Sequence, residues 1–312
     1  MTYPTEEKTE GNQSMHFDRH SQMIVFHSLW ICCLLTLWVM TSNTYAASQR
    51  SLTFEITEDV SLKFAIIPAG KSPFGSPENE SGRLTEEPVQ TTQSIDYSFW
   101  MATTETLANQ VTALIPSRNR VFNLLNVKPE EPARFVNWSV ANRWCRLMNE
   151  QLECSSLIPK GYIFRLPLET EWEHACRAGK QTPFGTGNGN ELNDNLAYFS
   201  WNFPYASKRT APNPIRPGLP AQYPANDWNL HDMHGSIWEM CLNAYSEYLP
   251  EINDKKDPDM TSWITIRGGA WTSSGRFCRA SSRVGFPKGG FRDNVGFRVV
   301  LAPKTPEYLT EN

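Results

Sequence analysis

Cys278 sits in the most cationic stretch of this chain. Between Ile264 and Val300 the bases are Arg267, Arg276, Arg279, Arg283, Lys288, Arg292 and Arg298, set against a single acid, Asp293. Positive charge beside a thiol favours the thiolate, the form that attacks substrates and binds soft metals. Guanidinium groups have a second use, tying loops to backbone carbonyls. Two readings are therefore open: a cationic pocket that activates Cys278, or a set of structural ties. Other candidates are weaker. His231 and His234 lie three apart in NLHDMHGSIWEM, but a zinc site needs about four ligands and no others can be named. His174, within EWEHA, reads as a packed or surface residue. Gly185-Thr186-Gly187-Asn188-Gly189 is glycine-rich, yet a phosphate loop needs a strand before it and a helix after it. No GxSxG occurs.

The elements that must position these residues are modest. Leu62–Pro68 reads as a strand and Pro73–Glu87 as a polar, turn-rich loop. Val89–Met101, with Ile95, Tyr97 and Phe99 at spacing two, reads as a strand or strand pair. Helices are expected at Glu105–Leu114, at Ser139–Leu152 with Ser139 as cap, and at Leu168–Ala178. The third carries acids in its first turn, where they suit the helix dipole, and Gly179 at its end. Residues 180–230 are rich in Pro, Gly and Asn and show no period. Ile264–Arg267 and Val295–Leu301 read as strands.

Composition sets the class. The chain has 312 residues with 11 Trp, 16 Phe and 10 Tyr, too many aromatics for a disordered polymer. With 22 Pro and 18 Gly it is no coiled coil. A net charge of −4 gives no general attraction to nucleic acid, and none is expected as a partner. Leu29–Met40 is an uninterrupted apolar run. Its length suits a signal-peptide core better than a spanning helix, and Thr44-Tyr45-Ala46 has small residues at the positions a signal peptidase reads. The expectation is export, to the periplasm or beyond, with a mature chain starting near Ala47. The alternative is an uncleaved membrane anchor over Ile24–Met40. Met15 and Met23 are further candidate starts. Export would leave Cys145, Cys154, Cys176, Cys241 and Cys278, an odd number, so at least one thiol is unpaired within the chain. The domain reading is 1–46 as extension and signal peptide or anchor, 47–60 as linker, 61–303 as one α+β domain, and 304–312 as tail.

Four blocks, in order and spacing, resemble the formylglycine-generating enzyme (sulfatase-modifying factor) superfamily. They are FAIIPAGKSPFGSPEN (64–79), FVNWSVANRWCRLMN (135–149), RLPLETEWEHACRAG (165–179), and NLHDMHGSIWE (229–239) followed by RGGAW (267–271) and GFR (296–298). The resemblance implies a C-type-lectin-like α+β fold with little regular secondary structure. Enzymes of this family oxidise a cysteine in a CxPxR motif of sulfatases to formylglycine, using O₂ and copper held between two cysteines.

The resemblance also says where this chain departs. The second copper cysteine falls at Cys278, but the first falls at Ser273, and a hydroxyl is a poor substitute for a soft thiolate. The family's GGS serine is Ala270 and its tyrosine before the second cysteine is Phe277, while Asn294 is retained. Copper is therefore not expected. Trp271, Phe277, Arg279 and Arg283 are the expected ligand-binding residues. The helix cysteines match Cys145 and Cys176, whose family partners fall at Arg283 and Val299, so those disulfides cannot form. A calcium ion is implied at Asp232, Gly235, Ile237 and Glu239; the other reading is that Glu239 pairs with an arginine. The family's second cation site is not expected, because residues 197–223 hold no acid. Two functions follow. One is a non-catalytic binding or assembly module that takes a peptide or another ligand, or an exported protein such as a sulfatase. The other is a cysteine oxidase working through Cys278 alone.

Overall fold

The computed structural model describes residues 51–245 and 262–305. The expected signal peptide or anchor at 1–46 lies outside them. Residues 51–57, expected as linker, instead form the edge strand β1 (Ser51–Thr57), paired antiparallel with β2 (Val60–Ile67). Then follow β3 (Gly70–Phe74), β4 (Thr91–Ile95), β5 (Phe99–Ala102), α1 (Ala108–Leu114), α2 (Arg118–Leu124), α3 (Trp138–Gln151), β6 (Tyr162–Arg165) and α4 (Glu169–Arg177). The C-terminal part adds β7 (Trp238–Ala244), β8 (Trp263–Arg267), a 3₁₀ turn (Gly275–Cys278), β9 (Arg283–Pro287), β10 (Val295–Gly296) and β11 (Val300–Pro303).

The first sheet is antiparallel, in the order β1-β2-β5-β11-β6. Both of its faces are covered. Successive strand residues point to opposite sides, so Leu62 and Phe64 enter one core while Ala65 and Ile67 enter another. Leu301 and its neighbours Val300 and Ala302 divide the same way. On the first face Phe54, Phe64 and Phe164 pack with ring centroids 5.1–5.7 Å apart, beneath Trp144 and Met148 of α3. On the second face Trp172 and Cys176 of α4 close the layer.

A four-stranded sheet follows the order β10-β7-β8-β9. The stretch Val295–Leu301, expected as one strand, is divided between the sheets. β10 pairs parallel with β7, and β11 pairs antiparallel with β5 and β6. The expected Val89–Met101 element is likewise two strands in two sheets, β4 pairing with β3 and β5 with β2 and β11. Two helix starts also differ. α1 begins at Ala108 rather than Glu105. α3 is capped by Asn137, whose side chain accepts the Val140 N–H at 3.0 Å, and not by Ser139. Residues 180–230 hold no helix and no named strand; an isolated bridge joins Leu192 to Tyr205. Among the described residues no helix is long and apolar enough to cross a membrane.

Candidate functional site

The turn after β8 carries Cys278. Gly268 and Gly269 both have positive φ, 92° and 77°, and a Cβ on Gly269 would strike the Cys278 sulfur. Ser273 closes the next turn: its hydroxyl accepts the Ala270 N–H at 3.0 Å. The residues from 200 to 205 lie across this turn. Ser200 donates its N–H to the Ser273 carbonyl, and Gly275 donates to Phe203, both at 2.9 Å. Phe184, Leu192, Ala197 and Phe199 form a small core with Cys278, against which Leu196, Trp201 and Tyr205 pack. The thiol is 0% exposed, and burial pushes its pKa far up, against the weaker opposing effect of Arg279. The cationic-pocket reading therefore gives way to the structural one.

His234 explains part of this order. Gly185 donates its N–H to Nε2 at 2.9 Å, so the ring proton sits on Nδ1, which donates to the Cys278 carbonyl at 2.7 Å. Burial lowers its pKa to about 4, and the neutral ring ties the glycine-rich segment to the Cys278 turn. His231 turns elsewhere, to the Tyr223 carbonyl at 2.9 Å. The pair does not form a metal site.

Four of the cluster's arginines, Arg267, Arg279, Arg283 and Arg298, find buried carboxylates. Arg279 pairs with Glu80 and Glu87 and also donates to the Gly82 carbonyl. Arg283 holds Glu169 through two bonds of 2.8 Å. Arg267 joins Glu173 and the Ser282 carbonyl. Arg279 and Arg283, expected to bind ligand, thus spend their donors on the fold. Arg276 and Arg292 are the exposed arginines of this stretch, and Arg276 lies over the Phe277 ring at 4.9 Å with no carboxylate partner among the described residues. Arg276 opens onto a cleft of about 420 Å³, also lined by Arg83, Glu86, Tyr245, Phe277, Arg283 and Val284, so three cations face one acid there. Trp271 is half-buried on the main core, with an indole N–H that meets no acceptor. Asn294 donates to the Thr272 hydroxyl at 3.0 Å, bracing the same turn.

The cation positions divide differently from expectation. Glu239 pairs with Arg298 at 2.7 Å and accepts the Trp172 indole N–H at 2.7 Å, so both oxygens are taken. Asp232 adopts φ 60°, and one of its oxygens accepts the Ala221 N–H at 2.6 Å. Gly235 adopts φ 105°, where a Cβ would collide with the Tyr198 carbonyl. Ile237 is buried in the following turn. The missed residue is Glu105. It is wholly buried, and neither carboxylate oxygen makes a well-formed hydrogen bond, the Ser236 hydroxyl being the polar group beside it. Burial raises its pKa well above the carboxylate range, and the Asp232 charge adds to this. In sequence Glu105 reads as a helix residue; the start of α1 at Ala108 leaves it pointing inward. No group of three or more His, Cys, Asp or Glu capable of holding a metal occurs among the described residues.

All five cysteines of the described part are free; Cys145, Cys176, Cys241 and Cys278 are buried and Cys154 is exposed. The absent helix disulfides are consistent with Arg283 and Val299 standing at the partner positions.

Sheets of five, four and two strands, four helices and a long loop over an Arg-Gly-Gly turn, among the described residues, define an α+β fold of the formylglycine-generating-enzyme type. Solved structures with this fold include Treponema denticola variable protein 1, with a TM-score of 0.62, 19% identity, and coverage of 81% of this chain and 99% of that one. PvdO from Pseudomonas aeruginosa gives a TM-score of 0.58, 18% identity, and coverage of 80% and 98%. The sulfatase-modifying factor enzyme 1-like domain matches residues 57–303, and the chain belongs to that family. Its relatives include inactive Cα-formylglycine-generating enzyme 2 of Bos taurus, 30% identical over 57% of this chain and 53% of that protein. The chaperone protein LppX of Paenibacillus barcinonensis is 29% identical over 44% and 49%. The formylglycine-generating enzyme of Mycobacterium tuberculosis is 26% identical over 45% and 51%. The chain spans about half the length of these relatives.

Proposed function

We propose that this chain is an exported, non-catalytic member of the family, a binding module on a C-type-lectin-like scaffold. The observation that carries this reading is the burial of Cys278 behind residues 184–205, with the Ser273 hydroxyl already engaged by Ala270. Copper(I) chemistry in this family needs two accessible thiolates; a sealed thiol and a capping hydroxyl do not fit that ion. The ligand site is the cleft beside Phe277, where Arg276 supplies an unpaired positive charge on an aromatic face. A peptide or exported protein presenting a carboxylate beside an apolar side chain suits it, a sulfatase among them. The inactive relative and the chaperone among the similar proteins support a role without turnover.

The test is mass spectrometry of a CxPxR peptide incubated with the protein and copper in reducing buffer. The expected result is no loss of the sulfur that marks the aldehyde. Ser273→Cys is expected to leave the peptide unconverted as well, since Cys278 stays covered. Multiple turnovers by the unmodified chain would establish the alternative, a cysteine oxidase using Cys278.

Calcium remains part of the proposal, with a changed donor set. Glu105 and Asp232 offer carboxylates beside the Gly235 turn, and the oxygens of Glu105, without a well-formed hydrogen bond, are what a hard cation would satisfy. Glu239 is excluded as a donor by Arg298. A cation bound only to the native state raises stability by about 2.7 kcal/mol at a hundredfold excess over Kd. Chelator is expected to lower the melting temperature, and Glu105→Gln is expected to remove the response. Identical melting with and without chelator would refute the site.

A further inference from the structure

The long loop that seals Cys278 also presents a surface of its own. Phe203 is 64% exposed, Ile215 is 88% exposed and Leu219 is 45% exposed, three of the seven large apolar side chains so exposed among the described residues. The loop is held in a fixed shape. The Asn213 side chain accepts from the Ser200 hydroxyl and from the Asn202 N–H, both at 3.3 Å. These bonds hold Asn213 against the 200–202 leg, with exposed Phe203 and Ile215 one and two residues beyond them. Arg209 bonds the Asn202 side chain and the Ala211 carbonyl, which ties a cation to the same leg. Tyr198 stacks edge-on with Trp201, centroids 5.4 Å apart, at the base.

Charge and backbone chemistry point to one kind of partner. Residues 197–223 contain Lys208, Arg209 and Arg216 and no acid, within a chain of net charge −4; among the described residues the one carboxylate bonded to the loop's outer part is Asp194, which takes the Thr210 N–H and hydroxyl and leaves a net positive charge there. Arg216 shares a cleft of about 210 Å³ with Lys128, Glu130 and Glu131, and neither acid forms an ion pair with it. Pro204, Pro212, Pro214, Pro217 and Pro220 remove backbone donors from the loop. A segment entering hydrocarbon is penalised for every unsatisfied N–H, so a proline-rich tip enters at lower cost. Apolar tips ringed by cations and backed by Trp and Tyr are the composition of a lipid-interface anchor.

We propose that the loop 201–219 docks on an anionic lipid surface, with Phe203, Ile215 and Leu219 entering the acyl boundary and Lys208, Arg209 and Arg216 meeting the headgroups. The site is distinct from the Arg276 cleft and does not depend on what occupies it. Each cation close to such a surface strengthens binding about fivefold, so the effect reads clearly in single-residue variants.

The experiment is hydrogen–deuterium exchange of the full chain, read on peptides covering 201–219. It is run in buffer, with phosphatidylcholine vesicles, and with vesicles containing phosphatidylglycerol. Reading the loop itself separates its docking from any binding by the N-terminal apolar segment. Slower exchange of the loop only with the phosphatidylglycerol vesicles is expected. Ile215→Ser with Phe203→Ser is expected to abolish the protection, and Lys208→Ser with Arg216→Ser to weaken it by more than tenfold. Both pairs are exposed and leave the core intact. Equal exchange of 201–219 in all three solutions overturns the proposal, even where the chain sediments with vesicles through another segment. Protection that arises without vesicles and grows with protein concentration also overturns it, in favour of a second copy of the chain.

Discussion

Arg298→Met is expected to destabilise the protein by about 3–5 kcal/mol, the cost of leaving a buried partner charge uncompensated. Arg298 is wholly buried between the two sheets. It donates to both oxygens of Glu239, to the Ala102 carbonyl at 2.9 Å and to the His231 carbonyl at 2.8 Å. Removing it strands Glu239, two backbone carbonyls, and the nearby Glu105 and Asp232 carboxylates that its charge partly offsets. The surface pair Lys180 and Asp227, 3.6 Å apart with Asp227 largely exposed, serves as the control. Asp227→Ala, which removes only the exposed partner, is expected to cost under about 1 kcal/mol. Denaturant midpoints of the two variants decide the matter. A loss below about 1 kcal/mol for Arg298→Met would show that the pair contributes little. Replacing Arg298 and Glu239 together by apolar residues is expected to recover part of the loss, because no isolated charge then remains.

Acidification is expected to unfold the protein over a narrow range. Burial alone would raise the pKa of Glu87, Glu169 and Glu171, but their arginine partners outweigh it and hold all three below the ordinary 4.5. For Glu169 the partners are Arg283 and Arg267, for Glu171 Arg165, and for Glu87 Arg279. A carboxylate with a lowered native pKa binds fewer protons folded than unfolded, so stability falls as pH falls. The contribution is complete above about 4.5 and is lost as the pH drops through the lowered native values. Glu105 and Asp232 act in the opposite sense, since their raised pKa values mean that protonation relieves strain. In chelator, stability is therefore expected to hold or rise slightly from pH 7 to about 5, then fall steeply below about 4.5. Melting temperatures across pH 7 to 3 test this, and a flat profile down to pH 3 would contradict it.

How much of this was legible in the sequence follows from the range of each interaction. Helices α3 and α4 depend on local signals, the apolar face of α3 and the first-turn acids and closing Gly179 of α4, and their bounds were readable to within a residue, though the α3 cap was not. The division of Val89–Met101 and Val295–Leu301 between sheets was not, because each half is specified by strands far away in sequence. The arginine cluster could be seen but its role could not. Arg279 meets Glu87 192 residues away, Arg283 meets Glu169 across 114, and Arg298 meets Glu239 across 59. Without those acids in view, the arginines around Cys278 resemble an activating pocket. Glu105 escaped for the same reason, since its isolation is visible only once Asp232 and the Gly235 turn fold against it. The expectation that no thiolate pair is present rests on one residue, Ser273, because ligand identity is read without geometry.

The most direct test of the account is the reactivity of Cys278 in the native chain. The protein is exposed to a small alkylating reagent at neutral pH and the modified peptides are mapped over time by mass spectrometry. Cys154 is exposed and Cys278 is not, and a buried thiol with a raised pKa supplies almost no thiolate. Cys154 is expected to react within minutes while Cys278 stays unmodified until denaturant is added. Modification of Cys278 in the folded protein at a rate comparable to that of Cys154 would contradict the account, because it would place an accessible thiol where a core residue is claimed.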